Sequence, residues 1–104
     1  MPNKRYESGV RFERRVMGDL AERGYYCLRS AGSHSMIDVV AIGQEVLLVQ
    51  CKTDGVLSSK DKENLLALEA EGRVAILASR VNRKLIYKKL STGEYMCDVW
   101  EGRN

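Results

Sequence analysis

The chain has 104 residues, enough for one domain with a modest hydrophobic core but not for two. Hydrophobic residues make up 44% and charged residues 30%, as in an ordinary soluble globular protein, so we expect a single domain over residues 1–104. No apolar run approaches the roughly 20 residues of a membrane-spanning helix. The charged N-terminus lacks the apolar segment of a signal peptide, so the expected location is cytoplasmic.

The cysteines and the single histidine argue against two common kinds of site. Cys27, Cys51 and Cys97 are odd in number and far apart, which does not fit a disulfide framework. They also lack the spacing that would build a zinc site with His34. Any bound metal should therefore be a hard cation on oxygen ligands, such as Mg²⁺ or Mn²⁺.

The net charge of +3 is weak support for a polyanionic partner, but basic residues cluster in two stretches. The first stretch contains Lys4, Arg5, Arg11, Arg14, Arg15, Arg23 and Arg29, and the second contains Arg80, Arg83, Lys84, Lys88 and Lys89. Residues 36–51 between them contain no Lys or Arg. Such clustering fits a surface that binds phosphate backbones, and it fits two solvated faces equally well.

Residues 9–23 are predicted to form a helix that ends at Gly24. Its apolar residues recur at helical spacing, and Glu13 falls near the middle of the apolar arc. A carboxylate on a buried face needs a partner. Two interpretations remain open for Glu13, a ligand of a bound cation or an ion pair with a neighbouring arginine.

Three strands are predicted after this helix. The first covers residues 25–28, and a polar loop over residues 30–35 leads to the second, residues 36–42, which is apolar on both faces and therefore interior. A turn over residues 43–45 leads to the third strand, residues 46–53.

The register of the second and third strands decides which polar side chains meet. If the turn uses three residues, Ile42 lies opposite Val46 and Asp38 opposite Gln50, which gathers Asp38, Gln50 and Lys52 on one face. A two-residue turn would move Asp38 to the wrong face. We therefore favour the three-residue turn.

The second half of the chain predicts a helix over residues 60–71, capped by Ser58 or Ser59, and a buried strand over residues 74–78. Residues 85–90 and 95–100 are predicted to form a terminal hairpin. The order α-β-β-β-α-β with a C-terminal hairpin indicates an α/β or α+β domain with a mixed central sheet.

Glu13, Asp38, Gln50 and Lys52 together suggest phosphodiester hydrolysis. The oxygen atoms of Glu13, Asp38 and Gln50 would hold a divalent cation, which polarises phosphoryl oxygens and lowers the pKa of a bound water. Lys52 would orient or deprotonate that water, or neutralise developing charge.

An aspartate followed by Gln-x-Lys across a hairpin, with a helical glutamate upstream, resembles the PD-(D/E)xK nuclease superfamily. More specifically, the chain resembles the archaeal-type Holliday junction resolvases (Hjc), also found in viruses. The segments that carry this resemblance are Phe12-Glu13-Arg14, Gly24-Tyr25, Arg29-Ser30-Ala31-Gly32-Ser33-His34-Ser35 and Asp38-Val39-Val40-Ala41. The resemblance implies a restriction-endonuclease-like mixed sheet flanked by helices.

By this resemblance Glu13 and Asp38 match the metal-binding acids of the family, and Lys52 matches its catalytic lysine. Gln50 stands where the family usually has glutamate; its carbonyl still binds Mg²⁺ but brings no charge. Other residues matched to the site or predicted to contact DNA are Ser33 or Ser35 in the loop, Arg14 and Arg29 near the scissile phosphate, and Lys4, Arg5, Arg11, Lys60 and Lys62.

The resemblance further implies a Mg²⁺-dependent endonuclease, with Mn²⁺ as a substitute, that nicks opposed strands of four-way junction DNA as a homodimer. Two alternatives stay open. One is another nuclease of the superfamily that acts on flaps, nicks or restriction-like sites. The other is a junction-binding protein with weakened catalysis, because Gln50 replaces the usual glutamate.

Overall fold

Two helices and five strands make up the regular structure. A computed structural model of the chain describes residues 4–30 and 35–96, with the backbone alone for residues 4–8. The elements are α1 (Lys4–Glu22), β1 (Tyr26–Arg29), β2 (Val39–Ile42), β3 (Val46–Cys51), α2 (Ser59–Leu66), β4 (Arg73–Val81) and β5 (Lys84–Lys89). Neither helix of the described residues is long and apolar enough to cross a membrane.

The five strands form one mixed sheet in the order β1-β2-β3-β4-β5. Neighbouring strands are antiparallel except β3 and β4, which run parallel. A parallel pair needs a crossover connection, and α2 lies in the segment that provides it. The mixed α+β fold predicted from the sequence is confirmed.

The core has two layers because β3 is apolar on both faces. Leu47 and Leu48 are consecutive and buried, and they belong to different clusters on opposite faces of the sheet. The α1-side cluster contains Phe12, Val16, Leu20, Val39, Ala41, Leu47, Val49, Ile76, Ala78, Tyr87 and Met96. The α2-side cluster contains Leu48, Leu65, Ala75, Leu77 and Leu90.

The β2–β3 hairpin has the predicted three-residue turn, with Ile42 paired to Val46. The pairing stops at Val39 and Val49, so β2 begins at Val39 and not at residue 36. The Asp38 N–H donates to the carbonyl oxygen of Val49 at 2.9 Å, although Val49 is already the partner of Val39. Asp38 is therefore an extra residue at the start of the strand, and it does not take the regular place opposite Gln50 that was predicted.

The alternation of side chains also breaks at Asp38. Ile37 packs against the α2-side cluster, whereas Val39 lies in the α1-side cluster. In a regular strand residues two apart share a face. The break matches a β-bulge, in which two residues of one strand oppose one residue of its partner.

Both helices differ in length from the prediction. α1 begins at Lys4, five residues before the predicted start, because the apolar spacing that revealed the helix starts only at Val10. α2 ends at Leu66 and not at residue 71, since the chain tightens into a turn and the Glu69 carboxylate accepts the Ala75 N–H at 2.8 Å. The predicted cap is confirmed, with Ser58 Oγ accepting the Asp61 N–H at 3.1 Å.

The second hairpin of the sheet was not predicted. β4 runs on to Val81, and a two-residue turn of Asn82 and Arg83 leads directly into β5. Both turn residues have positive φ, 49° and 69°, as in the primed turns whose twist matches paired strands. Of the predicted terminal hairpin, the described residues show only a bridge between Lys88 and Tyr95. Residues 97–100 lie outside the described part of the chain.

Replacing Arg83 with glycine is expected to stabilise the protein. Arg83 has φ 69°, a left-handed conformation that costs a non-glycine residue about 1 kcal/mol. Part of that gain is lost because glycine has more conformational freedom in the unfolded chain. The net gain of roughly 0.5 kcal/mol corresponds to a rise in Tm of about 2–4 °C by calorimetry. Lys84→Gly is the matched control and should lower Tm, since Lys84 is in a strand; equal losses in both variants would contradict the strain at Arg83.

Candidate active site

The predicted site residues of the strands lie at one end of the sheet. Arg29 is the last residue of β1 and pairs with Val39, the first residue of β2. Val39 in turn pairs with Val49, two residues before the end of β3 at Cys51. The end of β1, the start of β2 and the end of β3 are therefore adjacent, and Asp38 lies at their junction.

Asp38 is held to both neighbouring strands. Its carboxylate accepts the backbone N–H of Cys51 at 2.8 Å, and its carbonyl oxygen accepts the N–H of Ser30 at 2.9 Å. Burial raises the pKa of the Asp38 carboxyl, and the Cys51 N–H and the positive charge of Lys52 act in the opposite direction. The carboxylate therefore has a fixed position, a partly desolvated environment and a nearby cation in Lys52.

Glu13 forms an ion pair with Arg29, Oε1 to Nη1 at 3.2 Å, and only 17% of its side chain is exposed. The ion-pair interpretation of Glu13 is thus realised, with an arginine of β1 as the partner. Burial is the largest effect on the pKa of Glu13 and raises it; the negative charge of Asp38 also raises it, while Arg29 lowers it. The charge of Asp38 therefore reaches Glu13, so the structure brings the two carboxylates and Arg29 together.

Cys51 contributes its backbone to this site and not its thiol. Its side chain packs against the α1-side cluster. Burial raises the pKa of the thiol far above its ordinary value, and the charges of Asp38 and Glu13 raise it further. The thiol stays protonated at neutral pH and is no nucleophile. A backbone N–H that orients Asp38 leaves no signal in the sequence.

Gln50 lies on the other side of β3. Val49 and Cys51 pack on the α1 side, so alternation places the half-buried Gln50 on the α2 side, one residue from the N–H that binds Asp38. Within residues 4–30 and 35–96, no group of three or more His, Cys, Asp and Glu side chains is arranged to hold a metal ion. The carboxylates of the candidate site are two, Glu13 and Asp38.

The other predicted residues fall into three groups. Four of them are exposed to solvent on the helices: Arg11, Arg14, Lys60 and Lys62. Ser35 closes a local turn before Asp38, since its hydroxyl donates to the carbonyl oxygen of Ile37 at 2.7 Å and accepts the Ile37 N–H at 3.2 Å. The side chains of Lys4 and Arg5, and all of Ser33 and His34, lie outside the described residues.

Three cations at the same end of the sheet were not assigned to the site from the sequence. Because β4 runs parallel to β3, the two strands end side by side, and the Arg80 N–H donates to the carbonyl oxygen of Thr53 at 3.2 Å. Arg83 follows in the β4–β5 turn, and Lys84 is the first residue of β5. The signal that could have placed them is Val81-Asn82-Arg83-Lys84, where an asparagine that tolerates positive φ stands between two strand-forming stretches.

Asp38→Asn is expected to stabilise the metal-free protein at neutral pH. Because folding raises the pKa of the Asp38 carboxyl, its contribution to stability is fully present below the unfolded pKa of about 4. That contribution is lost as pH rises through the folded pKa, since the partly buried carboxyl must then ionise. Asparagine removes the buried charge but still accepts the Cys51 N–H. Thermal unfolding in EDTA should show a Tm a few degrees above wild type at pH 8, with the difference shrinking towards pH 4.

The matched control for this measurement is Asp54→Asn. Asp54 is exposed and its carboxylate also accepts a backbone N–H, that of Val56 at 3.0 Å. Its replacement should change Tm less than Asp38→Asn does. A Tm of Asp38→Asn below wild type at pH 8 would show that the charge of Asp38 stabilises the fold.

Comparison with known proteins supports the family resemblance seen in the sequence. The sequence model of the archaeal Holliday junction resolvase (Hjc) family matches residues 4–96. A similar protein is the crossover junction endodeoxyribonuclease Hjc of Methanocaldococcus jannaschii, 30% identical over 88 residues. That alignment covers 80% of this chain and 66% of the relative, just under two thirds of its length.

A solved structure shows the same fold. The 1.6 Å structure of Archaeoglobus fulgidus Hjc, described as a Holliday junction resolvase from an archaeal hyperthermophile, superposes with a TM-score of 0.68 at 26% sequence identity. The match covers 81% of this chain and 74% of that one. The family model spans nearly the whole of the chain, including Glu13, Asp38, Gln50 and Lys52. The chain therefore belongs to the archaeal Holliday junction resolvase (Hjc) family.

Proposed function

We propose that this protein is a metal-dependent endonuclease that resolves four-way DNA junctions as a homodimer. One observation carries the proposal: Asp38, fixed by the Cys51 N–H, lies within the electrostatic reach of Glu13 and Lys52 at the end of the sheet. The names of the two relatives, a crossover junction endodeoxyribonuclease and a Holliday junction resolvase, supply the substrate class.

The donor set fits a hard divalent cation, and we propose Mg²⁺, with Mn²⁺ as a substitute. Glu13 and Asp38 are partly buried, and the charge of Asp38 raises the pKa of Glu13. Two desolvated carboxylates that repel each other favour a cation between them, and oxygen ligands suit Mg²⁺. When bound, Mg²⁺ supplies charge neutralisation at the phosphoryl oxygens and a bound water of lowered pKa.

The side chains around these acids have separate tasks. Arg29 orients Glu13 through Nη1 and, within the described residues, keeps its other N–H groups for a phosphate oxygen. Lys52 orients the attacking water, takes its proton, or neutralises charge on the phosphate. Glu13 and Asp38 would supply the two negative charges that hold the cation. Gln50, which alternation places on the α2 side of β3, would add a neutral amide oxygen from the end of that strand and no third charge.

The proposed homodimer follows from symmetry. A four-way junction is nearly two-fold symmetric, and a two-fold dimer presents one site to each of two opposed strands. Light scattering coupled to gel filtration tests this directly. A mass near twice 11.7 kDa supports the dimer, and a monomer at the concentrations used for cleavage would contradict it.

Cleavage of defined substrates tests the proposed function. Purified protein with Mg²⁺ is mixed with a four-way junction and, separately, with linear, flap and nicked duplexes of the same sequence. Preferential cutting of the junction in opposed strands is expected. Equal cutting of linear duplex would favour another nuclease of the superfamily, and binding without cleavage in both Mg²⁺ and Mn²⁺ would favour a junction-binding protein with weakened catalysis.

Asp38→Ala and Lys52→Ala are expected to abolish cleavage and leave junction binding largely intact. Loss of a positioned acid–base group typically lowers a rate about 10²- to 10⁴-fold, and Asp38 would also be lost as a cation ligand. Single-turnover cleavage and anisotropy binding measure the two effects separately. Lys89→Ala is the control for Lys52, since it removes a lysine from β5, two strands away from β3 in the sheet. Loss of junction binding in the site variants would make these residues structural.

Gln50→Glu is expected to keep or raise cleavage, and to lower the Mg²⁺ concentration needed for half-maximal rate. The substitution adds a third carboxylate of nearly the same size, and a charged ligand binds a divalent cation more tightly than an amide does. A titration of the single-turnover rate with Mg²⁺ gives both quantities. An inactive Gln50→Glu protein with an unchanged Tm would show that Gln50 does something other than bind the cation.

A further inference from the structure

The tip of the β4–β5 hairpin carries three exposed cations that the proposed chemistry does not use. Arg80 lies at the end of β4, Arg83 in the turn and Lys84 at the start of β5, and all three are exposed. Within residues 4–30 and 35–96, none of their side chains forms an ion pair or a hydrogen bond. We call these three residues the hairpin cluster.

The hairpin cluster belongs to the same end of the molecule as the candidate active site. β3 and β4 are parallel, with Cys51 paired to Ala78, so the residues that follow both strands lie next to each other. Lys52 is followed by Thr53, whose carbonyl oxygen accepts the Arg80 N–H at 3.2 Å. A rigid sheet therefore fixes the distance between the hairpin cluster and Asp38.

The hairpin is also tied to the first helix. The guanidinium of Arg15 donates to the carbonyl oxygen of Arg83. Below this contact, the cleft between α1 and β5 is lined by Asp19 and Glu22 as well as by basic residues. Arg83 and Lys84 also line this cleft, but within the described residues neither forms an ion pair with Asp19 or Glu22, so their charges are not neutralised by a direct partner and a polyanion can approach them.

The conformation of Arg83 is costly for an arginine. Its φ of 69° suits glycine, which would serve as a turn residue at lower cost. Strained residues concentrate at functional sites, where the side chain is needed in spite of its conformation. The side chain of Arg83 forms no hydrogen bond or ion pair within the described residues that would offset this cost.

We propose that the hairpin cluster is a second phosphate-binding surface, which holds the backbone of a DNA arm to one side of the scissile phosphate. The inference rests on the proposed function and adds to it a positioning surface built by β4 and β5. Its contacts are to phosphate and therefore independent of base sequence, as recognition of a junction by shape requires.

The experiment measures binding of a four-way junction in EDTA, where no cleavage occurs, by fluorescence anisotropy at about 50 and 200 mM salt. The variants are Arg80→Gln, Arg83→Gln, Lys84→Gln and the triple variant. Each lost phosphate contact should weaken binding roughly 3- to 10-fold and make the slope of log K against log salt shallower by about 0.9. The control is Arg73→Gln, an exposed arginine at the opposite end of β4, roughly 23 Å from Arg80 along the strand.

Arg83→Gly separates a binding role from a structural one. The proposal expects weaker junction binding together with a Tm that is unchanged or higher, a combination that misfolding does not produce. Wild-type affinity and salt slope in the triple variant would overturn it, and so would an equal loss in Arg73→Gln. If the proposed function itself were wrong, the wild-type protein would neither bind nor cut the four-way junction preferentially.

Discussion

The hydrogen bond from the Cys51 N–H to the Asp38 carboxylate is the contact on which the candidate site depends. At 2.8 Å it joins the start of β2 to the end of β3 at the point where regular pairing has stopped. A carboxylate that accepts a backbone N–H is fixed more firmly than one that meets only solvent. The extra residue at the start of β2 interrupts the regular strand. The hydrogen bond from Cys51 then holds the Asp38 carboxylate where its charge interacts with Glu13 and with Lys52.

This arrangement is unfavourable for folding and useful for chemistry. Glu13 and Asp38 are both partly buried and both titrate above their ordinary pKa, and Arg29 offsets only part of the desolvation of Glu13. Two carboxylates held close together and partly shielded from water repel each other, and a bound cation relieves that repulsion. The ion pair and the ligand interpretations of Glu13 are therefore compatible, because Arg29 can hold the side chain that a cation would use.

The parallel pairing of β3 and β4 extends the site beyond its acids. An antiparallel neighbour would have placed the start of the strand beside Cys51, with Arg73 there and Arg80 at the remote end. The crossover through α2 reverses this, so that the basic β4–β5 turn lies beside the end of β3. From the sequence, the basic residues around the β4–β5 turn fitted a solvated face or a phosphate-binding surface equally well. The fold gives them a fixed place relative to the candidate active site.

The sequence determined most of the architecture by itself. Apolar spacing predicted both helices and the order of the elements up to β4, the three-residue turn gave the pairing of Ile42 with Val46, and the polar residues in apolar strands marked Asp38, Gln50 and Lys52 as candidates. Local patterns carry this information because helix and strand periods are properties of short segments.

Tertiary structure alone decided which of these groups meet. Arg29 became the partner of Glu13 across 16 residues, Cys51 supplied a backbone donor that no side-chain pattern records, and the start of β2 broke the alternation that would have put Asp38 opposite Gln50. The β4–β5 hairpin was missed because its turn, Asn82-Arg83, contains no glycine to mark it. The two strands pair through backbone hydrogen bonds, which form with many side chains and so leave little signal in the sequence. Contacts of this kind depend on how all the strands and helices pack together. A short stretch of sequence does not determine that packing.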